Sequence, residues 1–179
     1  MSSKLRWGVL GCAGIAKRSV IPGIQASQTG VVAAIASRNL NTAEETAKSL
    51  DIPTAYGSYE ALLADETIDA VYIPLPNHLH MEWTIKAAEA GKHVLCEKPI
   101  ALNADEARRM VDACSAAGFI WLKRSCTGII PALTSSRISF NRVKSERFAD
   151  CTAPLLSIML ETLPMCATGR HGEAVPSMM

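Results

Sequence analysis

The chain has 179 residues, of which 49% are hydrophobic and 20% charged, and its formal net charge at pH 7 is +1. This length suits one well-formed core and leaves a second domain of ordinary size cramped. The near-neutral charge gives no reason to expect a nucleic acid or an anionic membrane as a partner. No apolar run is long enough for a membrane span, and the first residues, MSSKLRW, lack the apolar core of a signal peptide. We therefore expect a cytoplasmic protein.

The cysteine and histidine residues predict neither a disulfide framework nor a metal site. The cysteines form no C-x-x-C pair and show no zinc-ligand spacing, so reduced and mostly buried thiols are expected. His78 and His80 flank one leucine, but no third ligand lies near them in a metal-binding pattern. The six cysteines are Cys12, Cys96, Cys114, Cys126, Cys151 and Cys166.

The first predicted elements are a strand, a glycine-rich turn and a helix within RWGVLGCAGIA, residues 6–16. Small residues in such a turn let the backbone approach a bulky anion, and a helix starting near Gly14 points its free N–H groups at that anion. A full G-x-G-x-x-G would need glycines at 11, 13 and 16, whereas this chain has Gly11, Ala13 and Ala16. The turn therefore predicts a dinucleotide pyrophosphate site, with an ordinary strand-to-helix connection as the alternative. The predicted binding residues are Gly11, Cys12, Ala13, Gly14, Ile15 and Ala16.

The next elements alternate between helix and strand. A helix is predicted from Ile15 to Ala26, bent or interrupted by Pro22. The apolar run that opens at Gly30, VVAAIAS, is too continuous for a half-exposed strand and predicts a central parallel strand. A capping box over Asn41–Glu44 predicts a helix that ends near Leu50.

The following segment repeats this alternation with clear turn signals. A short strand is expected near Ala55, and Ser58 is expected to cap a short helix. A fourth strand is predicted over Asp69–Ile73, stopped by the prolines after it. A helix is predicted from about His80, and Gly91 is expected to end it.

The last regular elements surround a short charged tripeptide. A fifth strand is predicted over His93–Cys96, and Glu97-Lys98-Pro99 follows it directly. A second capping box, Asn103–Glu106, predicts a helix that Gly118 ends, and a sixth strand is expected over Phe119–Leu122. Strands alternating with helices through short loops predict an α/β fold with a doubly wound parallel sheet.

Four loops carry the unusual residues, and all four follow strands. In a parallel sheet the carboxyl ends of the strands share one edge, where ligands bind. The loops lie at Gly11–Gly14, Ser37–Arg38, Pro74–His80 and Glu97–Pro99. The sequence therefore predicts one composite binding site at this edge of the sheet.

The end of the second strand indicates which dinucleotide is bound. An acidic residue there would hold the ribose 2′-hydroxyl of NAD, but this chain has Ser37 and Arg38. A hydroxyl and a guanidinium suit a 2′-phosphate, so NADP is favoured over NAD. In the alternative interpretation, Arg38 is a solvated surface charge.

Lys98 is the candidate catalytic residue. Its amine could hydrogen-bond a substrate hydroxyl and relay a proton if a nearby positive nicotinamide lowered its pKa. Alternatively, the Lys98 stem only covers apolar surface. Asn77 and His80 could contact cofactor or substrate, or Asn77 could be a helix cap and His80 a surface residue. The sequence leaves open whether the peptide bond before Pro99 is cis.

At these residues the chain resembles the Gfo/Idh/MocA family of NAD(P)-dependent oxidoreductases. The resemblance runs from about residue 4 to 122 and is most specific in AAEAGKHVLCEKPIAL, residues 87–102. It is also carried by WGVLGCAGIA at 7–16, AIASRN at 34–39 and YIPLPNHLH at 72–80. The chain looks most like the branch that acts on sugars and related diols with NADP.

The resemblance implies a role for each loop. It implies that the first turn holds the pyrophosphate, that Ser37 and Arg38 hold the adenosine end, and that Glu97 contacts the cofactor ribose. Lys98 matches the lysine of the family's EKP motif and is implied as the catalytic residue. The residues implied on the nicotinamide side are Pro74, Leu75, Asn77 and His80. A second α+β domain that shapes the substrate pocket, and a homo-oligomeric assembly, are implied for full-length relatives.

The sequence changes character after the predicted sixth strand. Residues 1–118 carry 11 basic and 13 acidic side chains, whereas residues 119–179 carry 7 and 4, with half of the cysteines. The capped, periodic pattern also stops. We expect a dinucleotide-binding domain over 1–122 and an irregular tail, out of frame or disordered, over 123–179.

A one-nucleotide frameshift near Trp121 is one explanation for this change. With suitable codons, LKRSCTGIIP at 122–131, read from the last base of the Trp121 codon, becomes AEAFMYRHHP. That string resembles what the family carries after its sixth strand. The alternative is a genuine short protein whose tail folds, for instance with a helix over Pro154–Leu163. Three functional hypotheses follow: an oxidoreductase, an NADP-binding fragment without turnover, and a poorly folded remnant with exposed apolar surface.

Overall fold

The computed structural model describes residues 4–118, together with the backbone of 121–125 and 128–131. Its strands form one sheet in the order β3-β2-β1-β4-β5-β6-β7. Each pair from β3 to β6 is parallel, and β7 runs antiparallel to β6. The strands are β1 Leu5–Leu10, β2 Gly30–Ala36, β3 Thr54–Tyr56, β4 Ala70–Ile73, β5 His93–Cys96, β6 Trp121–Ser125 and β7 Gly128–Pro131.

Helices connect the parallel strands and cover both faces of the sheet. One face packs against α3, α4 and α5, and the other against α1 and α2. The α-helices are α1 Ile21–Ala26, α2 Leu40–Ser49, α3 Tyr59–Leu63, α4 His80–Glu89 and α5 Ala104–Ala117. A π-helical turn, Ala16–Val20, precedes α1, and a 3-10 turn, Asn77–Leu79, precedes α4. The predicted doubly wound parallel fold is confirmed.

The two cores follow from the alternation of side chains along each strand. On β1, Trp7 and Val9 point to the α1 and α2 side, whereas Leu10 points to the other side. On β4, Tyr72 and Ile73 are divided in the same way. Both faces of the central strands are therefore buried, as their continuous apolar runs predict.

The strand order reverses direction between β1 and β4. From β1 the chain winds outward to β2 and β3, and it then returns to place β4 on the other side of β1. In open α/β sheets, the crevice at such a reversal is where ligands bind. The turn after β1 and the loop after β4 border this crevice.

Two helix starts differ from the sequence predictions. The helical segment beginning at Gly14 contains a π-helical turn immediately before α1, so the irregularity precedes Pro22. The cap of α2 is Asn39, whose side chain accepts a hydrogen bond from the Thr42 N–H at 3.4 Å. The predicted cap, Asn41, lies inside the helix, so that prediction is wrong. By contrast, Ser58 and Asn103 cap α3 and α5 as predicted.

The sixth strand also differs from its predicted range, because it is described from Trp121 and continues to Ser125. The antiparallel strand β7 was not predicted. The structure thus assigns strands within the segment expected to be irregular, while residues 126–127 and 132–179 lie outside the described residues. The possible helix over Pro154–Leu163 also lies outside them, and the domain division near residue 122 stays a prediction.

The described cysteines are free thiols. Burial raises the pKa of Cys96 to about 12 and that of Cys114 to about 11, so both remain protonated at neutral pH. Cys12 is partly exposed. The other three cysteines lie outside the described residues. Within the described ranges, no helix is long and apolar enough to cross a membrane, and no cluster of three metal-ligating side chains occurs.

Candidate cofactor site

The turn after β1 contains one position that requires glycine. Gly11 has a φ of +112°, a conformation that side chains disfavour. Its N–H donates to the Ala36 carbonyl oxygen at 2.8 Å, which joins the turn to the end of β2. A Cβ at this position would lie 3.1 Å from the Leu75 Cδ2 atom. The turn is therefore packed closely against the loop that follows β4.

The remaining residues of the turn have different surroundings. The Cys12 thiol lies against α2, with Sγ 3.8 Å from the Thr42 carbonyl oxygen. Ile15 is exposed, whereas Ala16 is fully buried. A ligand can therefore reach the Ile15 side chain but not the Ala16 side chain, whose small size instead allows close helix–sheet packing. Ala13 and Gly14 are partly exposed at the start of the helix.

The loop after β2 presents one exposed guanidinium. The Ser37 N–H donates to the Tyr56 carbonyl oxygen at 3.0 Å, and its hydroxyl accepts from the Asn39 N–H at 3.3 Å. These bonds fix the loop and leave Arg38 exposed. Within the part of the chain that the structure describes, Arg38 takes part in no ion pair. Its charge is thus available to an anionic ligand.

Sequence reasoning missed Tyr59, which contacts this loop. The side chain is buried, its hydroxyl lies 3.8 Å from where a Gly11 Cβ would be, and its ring meets Trp83 edge-on at 4.9 Å. Burial raises the pKa of Tyr59, and the adjacent Arg38 guanidinium opposes that rise. A groove of about 430 Å³ is lined by Arg38, Tyr59 and Trp83, together with Glu60 and Glu82. The sequence signal that could have identified Tyr59 is its position directly after the Ser58 cap, shortly after the end of β3.

The loop after β4 is anchored by buried side chains and exposes its middle. Pro74 and Leu75 are buried, whereas Pro76 and Asn77 are exposed. Asn77 begins the 3-10 turn, and no side-chain hydrogen bond caps that turn. Asn77 is therefore not a helix cap, and it is exposed to solvent.

His80 lies beneath this loop with no exposed surface. Its Nε2 lies 2.7 Å from the Leu75 carbonyl oxygen, and its Nδ1 lies 2.8 Å from the Pro99 carbonyl oxygen. Both ring nitrogens therefore face the backbone of loops that border the site. His80 is therefore not a surface residue, and its predicted contact with the cofactor stays a prediction.

Glu97 is held in one orientation at the end of β5. Its Oε1 accepts a hydrogen bond from the Tyr72 hydroxyl at 2.6 Å, and its Oε2 accepts from the Lys98 N–H at 3.2 Å. The residue is only 8% exposed. These two hydrogen bonds fix the Glu97 carboxyl group next to the predicted catalytic lysine.

Lys98 projects from this edge with an exposed side chain. Among residues 4–118, no ion pair involves its ammonium group. The Lys98–Pro99 peptide bond is cis, which settles the question that the sequence left open. The ammonium group is therefore free to meet a ligand in the crevice.

The four predicted loops follow neighbouring strands in the sheet. Register pairs place Ala36 opposite Leu10, and Cys96 opposite Ile73, so the loops begin at one edge. The edge presents backbone donors, an exposed guanidinium and an exposed ammonium group. Such a set suits an anionic dinucleotide. The predicted site residues that are buried next to this surface are Ala16, Pro74 and His80.

Comparison with known proteins agrees with this geometry. Residues 5–122 match the model of the Gfo/Idh/MocA oxidoreductase family, described as having an NAD-binding Rossmann fold. The chain belongs to this family. Members of the family in this comparison include dehydrogenases and reductases that use NADP.

Individual relatives support the assignment. A D-xylose 1-dehydrogenase (NADP(+)) of Haloferax volcanii is 57% identical over 64% of this chain and 35% of its own length. A mouse trans-1,2-dihydrobenzene-1,2-diol dehydrogenase is 38% identical over 74% of this chain and 40% of its own. The chain thus spans about a third of the length of the curated relatives that it matches.

A solved structure has the same fold. The 3-ketoreductase KijD10 from Actinomadura kijaniata, in complex with TDP-benzene and NADP, superposes with a TM-score of 0.66 and 38% identity. The superposition covers 69% of this chain and 39% of KijD10. The predicted resemblance and fold are therefore confirmed, and NADP occurs with close relatives of this fold.

Proposed function

We propose that this chain binds NADP and belongs to an enzyme that transfers hydride between NADP(H) and a carbon of a sugar or diol. The observation that carries the proposal is the Gly11 turn. Gly11 has a φ of +112° and packs closely against Leu75, so the backbone there carries no side chain. This position lies directly after β1, where the strand order of the sheet reverses. A phosphorylated dinucleotide needs such an approach to the backbone. The bound cofactor would supply the hydride chemistry.

Arg38 supports NADP over NAD. It is exposed, forms no ion pair among the described residues, and stands where an NAD-binding protein would carry a carboxylate. Ser37 holds the loop through its hydroxyl and backbone. The NADP-dependent relatives favour the same assignment.

Lys98 is proposed as the catalytic residue. Its ammonium group could donate a hydrogen bond to a substrate oxygen and exchange a proton with it. Glu97, oriented by Tyr72 and the Lys98 N–H, would steady the strand end that carries this lysine and contact the cofactor ribose. Asn77 and Leu75 would line the nicotinamide side. The sugar or diol substrate is proposed from the named activities of the relatives.

A second candidate is an NADP-binding fragment that holds the cofactor without turnover. The observation that favours it is that the family match ends at residue 122, close to where the balance of charged residues changes from 11 basic and 13 acidic in residues 1–118 to 7 and 4 in residues 119–179. In this proposal the substrate-shaping domain of the relatives is replaced by an out-of-frame tail over 123–179. Sequencing the gene tests this proposed frameshift. If no shifted reading frame of the tail region encodes a family-like sequence, the proposal is contradicted. A cytoplasmic location and homo-oligomeric full-length relatives remain part of the proposal.

Cofactor titration separates these candidates. We expect NADPH to bind the full chain, and Arg38→Ala to weaken NADPH binding about tenfold while leaving NADH binding unchanged. Binding is measured by the fluorescence of the reduced cofactors, and turnover by NADPH absorbance with several aldoses and diols. Binding with turnover favours the enzyme, and binding alone favours the fragment. Equal losses of NADPH and NADH affinity in Arg38→Ala would contradict the NADP assignment.

A further inference from the structure

Gly14 is not explained by its backbone conformation. The glycines with positive φ among the described residues are Gly11, Gly91 and Gly118, and Gly14 is not one of them. An alanine could therefore adopt the same backbone dihedral angles. A Cβ on Gly14 would lie 2.8 Å from the Arg18 Nη1 atom and 3.2 Å from its Cζ atom, so the flexible Arg18 side chain would have to move to make room for it.

The Arg18 guanidinium thus occupies the volume that a side chain at position 14 would take. Arg18 lies four residues after Gly14, in the π-helical turn, so both residues share one face of the helical segment. The side chain is exposed and folds back toward the glycine turn instead of extending into solvent. No ion pair within the described ranges involves it.

We propose that Arg18 is a binding residue for the pyrophosphate of the dinucleotide. This inference rests on the proposed function, because it adds a residue to the same site. Backbone N–H groups at the turn carry only partial charge, whereas a guanidinium donates two parallel hydrogen bonds to phosphate oxygens and adds a full positive charge. The absence of a side chain at Gly14 leaves room for this guanidinium against the turn.

Arg18 and Arg38 have separable effects in this arrangement. The pyrophosphate is common to NAD and NADP, whereas the 2′-phosphate occurs only in NADP. Loss of Arg18 therefore weakens both cofactors by the same factor. Loss of Arg38 weakens only NADP.

The experiment titrates the full chain with NADPH and with NADH at one fixed ionic strength. We expect Arg18→Gln to raise both dissociation constants about tenfold, since hydrogen bonds to charged groups contribute on that scale. The matched control is Lys17→Gln, which removes the neighbouring exposed positive charge without touching Gly14. This control is expected to change either constant less than about twofold by general electrostatics alone.

A second variant tests the contact itself. Gly14→Ala keeps the net charge and displaces the guanidinium from the turn, so it is expected to weaken both cofactors several-fold, by about the strength of one lost contact. In the Arg18→Gln background, Gly14→Ala should weaken binding by a smaller factor than it does in the unaltered chain, because no guanidinium remains to displace. Thermal unfolding of each variant shows whether folding is intact.

The outcomes distinguish this inference from the proposed function. If the unaltered chain binds neither cofactor, both proposals fail. If it binds NADPH but Arg18→Gln behaves like Lys17→Gln, Arg18 is a solvated surface cation and only this inference is overturned. A loss restricted to NADPH would also overturn it, because it would place Arg18 at the 2′-phosphate.

Discussion

The two edges of the parallel sheet carry lysine side chains in opposite states. At the amino edge, Lys92 is 5% exposed and donates to the carbonyl oxygens of Asp65 and Ile68, each at 2.8 Å. At the carboxyl edge, Lys98 is exposed and forms no ion pair among residues 4–118. Lys92 therefore stabilises the fold through hydrogen bonds to the backbone, whereas Lys98 is available to a ligand.

Other charges follow the same division. At the amino edge, the Asp69 carboxylate accepts from the Arg6 N–H at 2.8 Å, and the Asp65 carboxylate accepts from Thr67. At the carboxyl edge, Arg18 and Arg38 have no carboxylate partner among the described residues. Internal hydrogen bonding thus separates the charges that stabilise the protein from those that can recognise an anion.

The largest expected effect is on stability at the amino edge. Lys92→Met keeps the length and apolar stem of the side chain but removes its three donors, leaving two carbonyl oxygens without the ammonium group. We expect the free energy of unfolding to fall by about 3 kcal/mol. Urea denaturation measures the change. Lys98→Met is the control and should change stability by less than about 0.5 kcal/mol. Equal effects in the two variants would contradict the division between the edges.

A smaller effect is expected from the pH dependence of His93. Burial lowers the pKa of His93 from 6.5, although the Asp69 carboxylate opposes the shift. Below pH 6.5 the unfolded chain takes up a proton that folded His93 resists, so stability is complete above pH 6.5 and is lost as the pH falls. The loss of stability should grow steadily as the pH falls below 6.5.

Urea denaturation between pH 5 and 8, at steps of about half a pH unit, measures the slope of the free energy of unfolding against pH. His93→Gln should remove the histidine contribution to the slope even if it lowers stability overall. His78→Gln, at an exposed position, is the matched control and should leave the slope unchanged. A slope that persists in His93→Gln would assign the proton uptake to another group.

Much of the fold was predictable because the deciding interactions are local. Ser58 and Asn103 each accept a hydrogen bond from the N–H three residues later, which sequence spacing reveals. The same rule failed at α2, where two asparagines compete. Asn39 has extended backbone angles and caps the helix, whereas Asn41 is already helical. Propensity could not separate them, because the choice depends on where β2 ends.

The site was predictable as a set of loops and less so as a set of contacts. The positions of Gly11, Arg38 and Lys98 follow from the rule that loops after parallel strands share an edge. The burial of His80 depends on carbonyl groups 5 and 19 residues away, which no local pattern reports. Tyr59 was missed because its contacts with Arg38 and the glycine turn arise only when the strands assemble. The antiparallel strand β7 has no alternation that predicts it.

The buried imidazole of His80 also has a mechanical consequence. One rigid ring touches the carbonyl groups of Leu75 and Pro99, and these residues belong to loops that follow different strands. The loop that borders the crevice and the segment that carries Lys98 are thereby cross-linked without a covalent bond. We therefore expect a ligand that holds the first loop to restrain the lysine segment as well, whether or not it touches that segment.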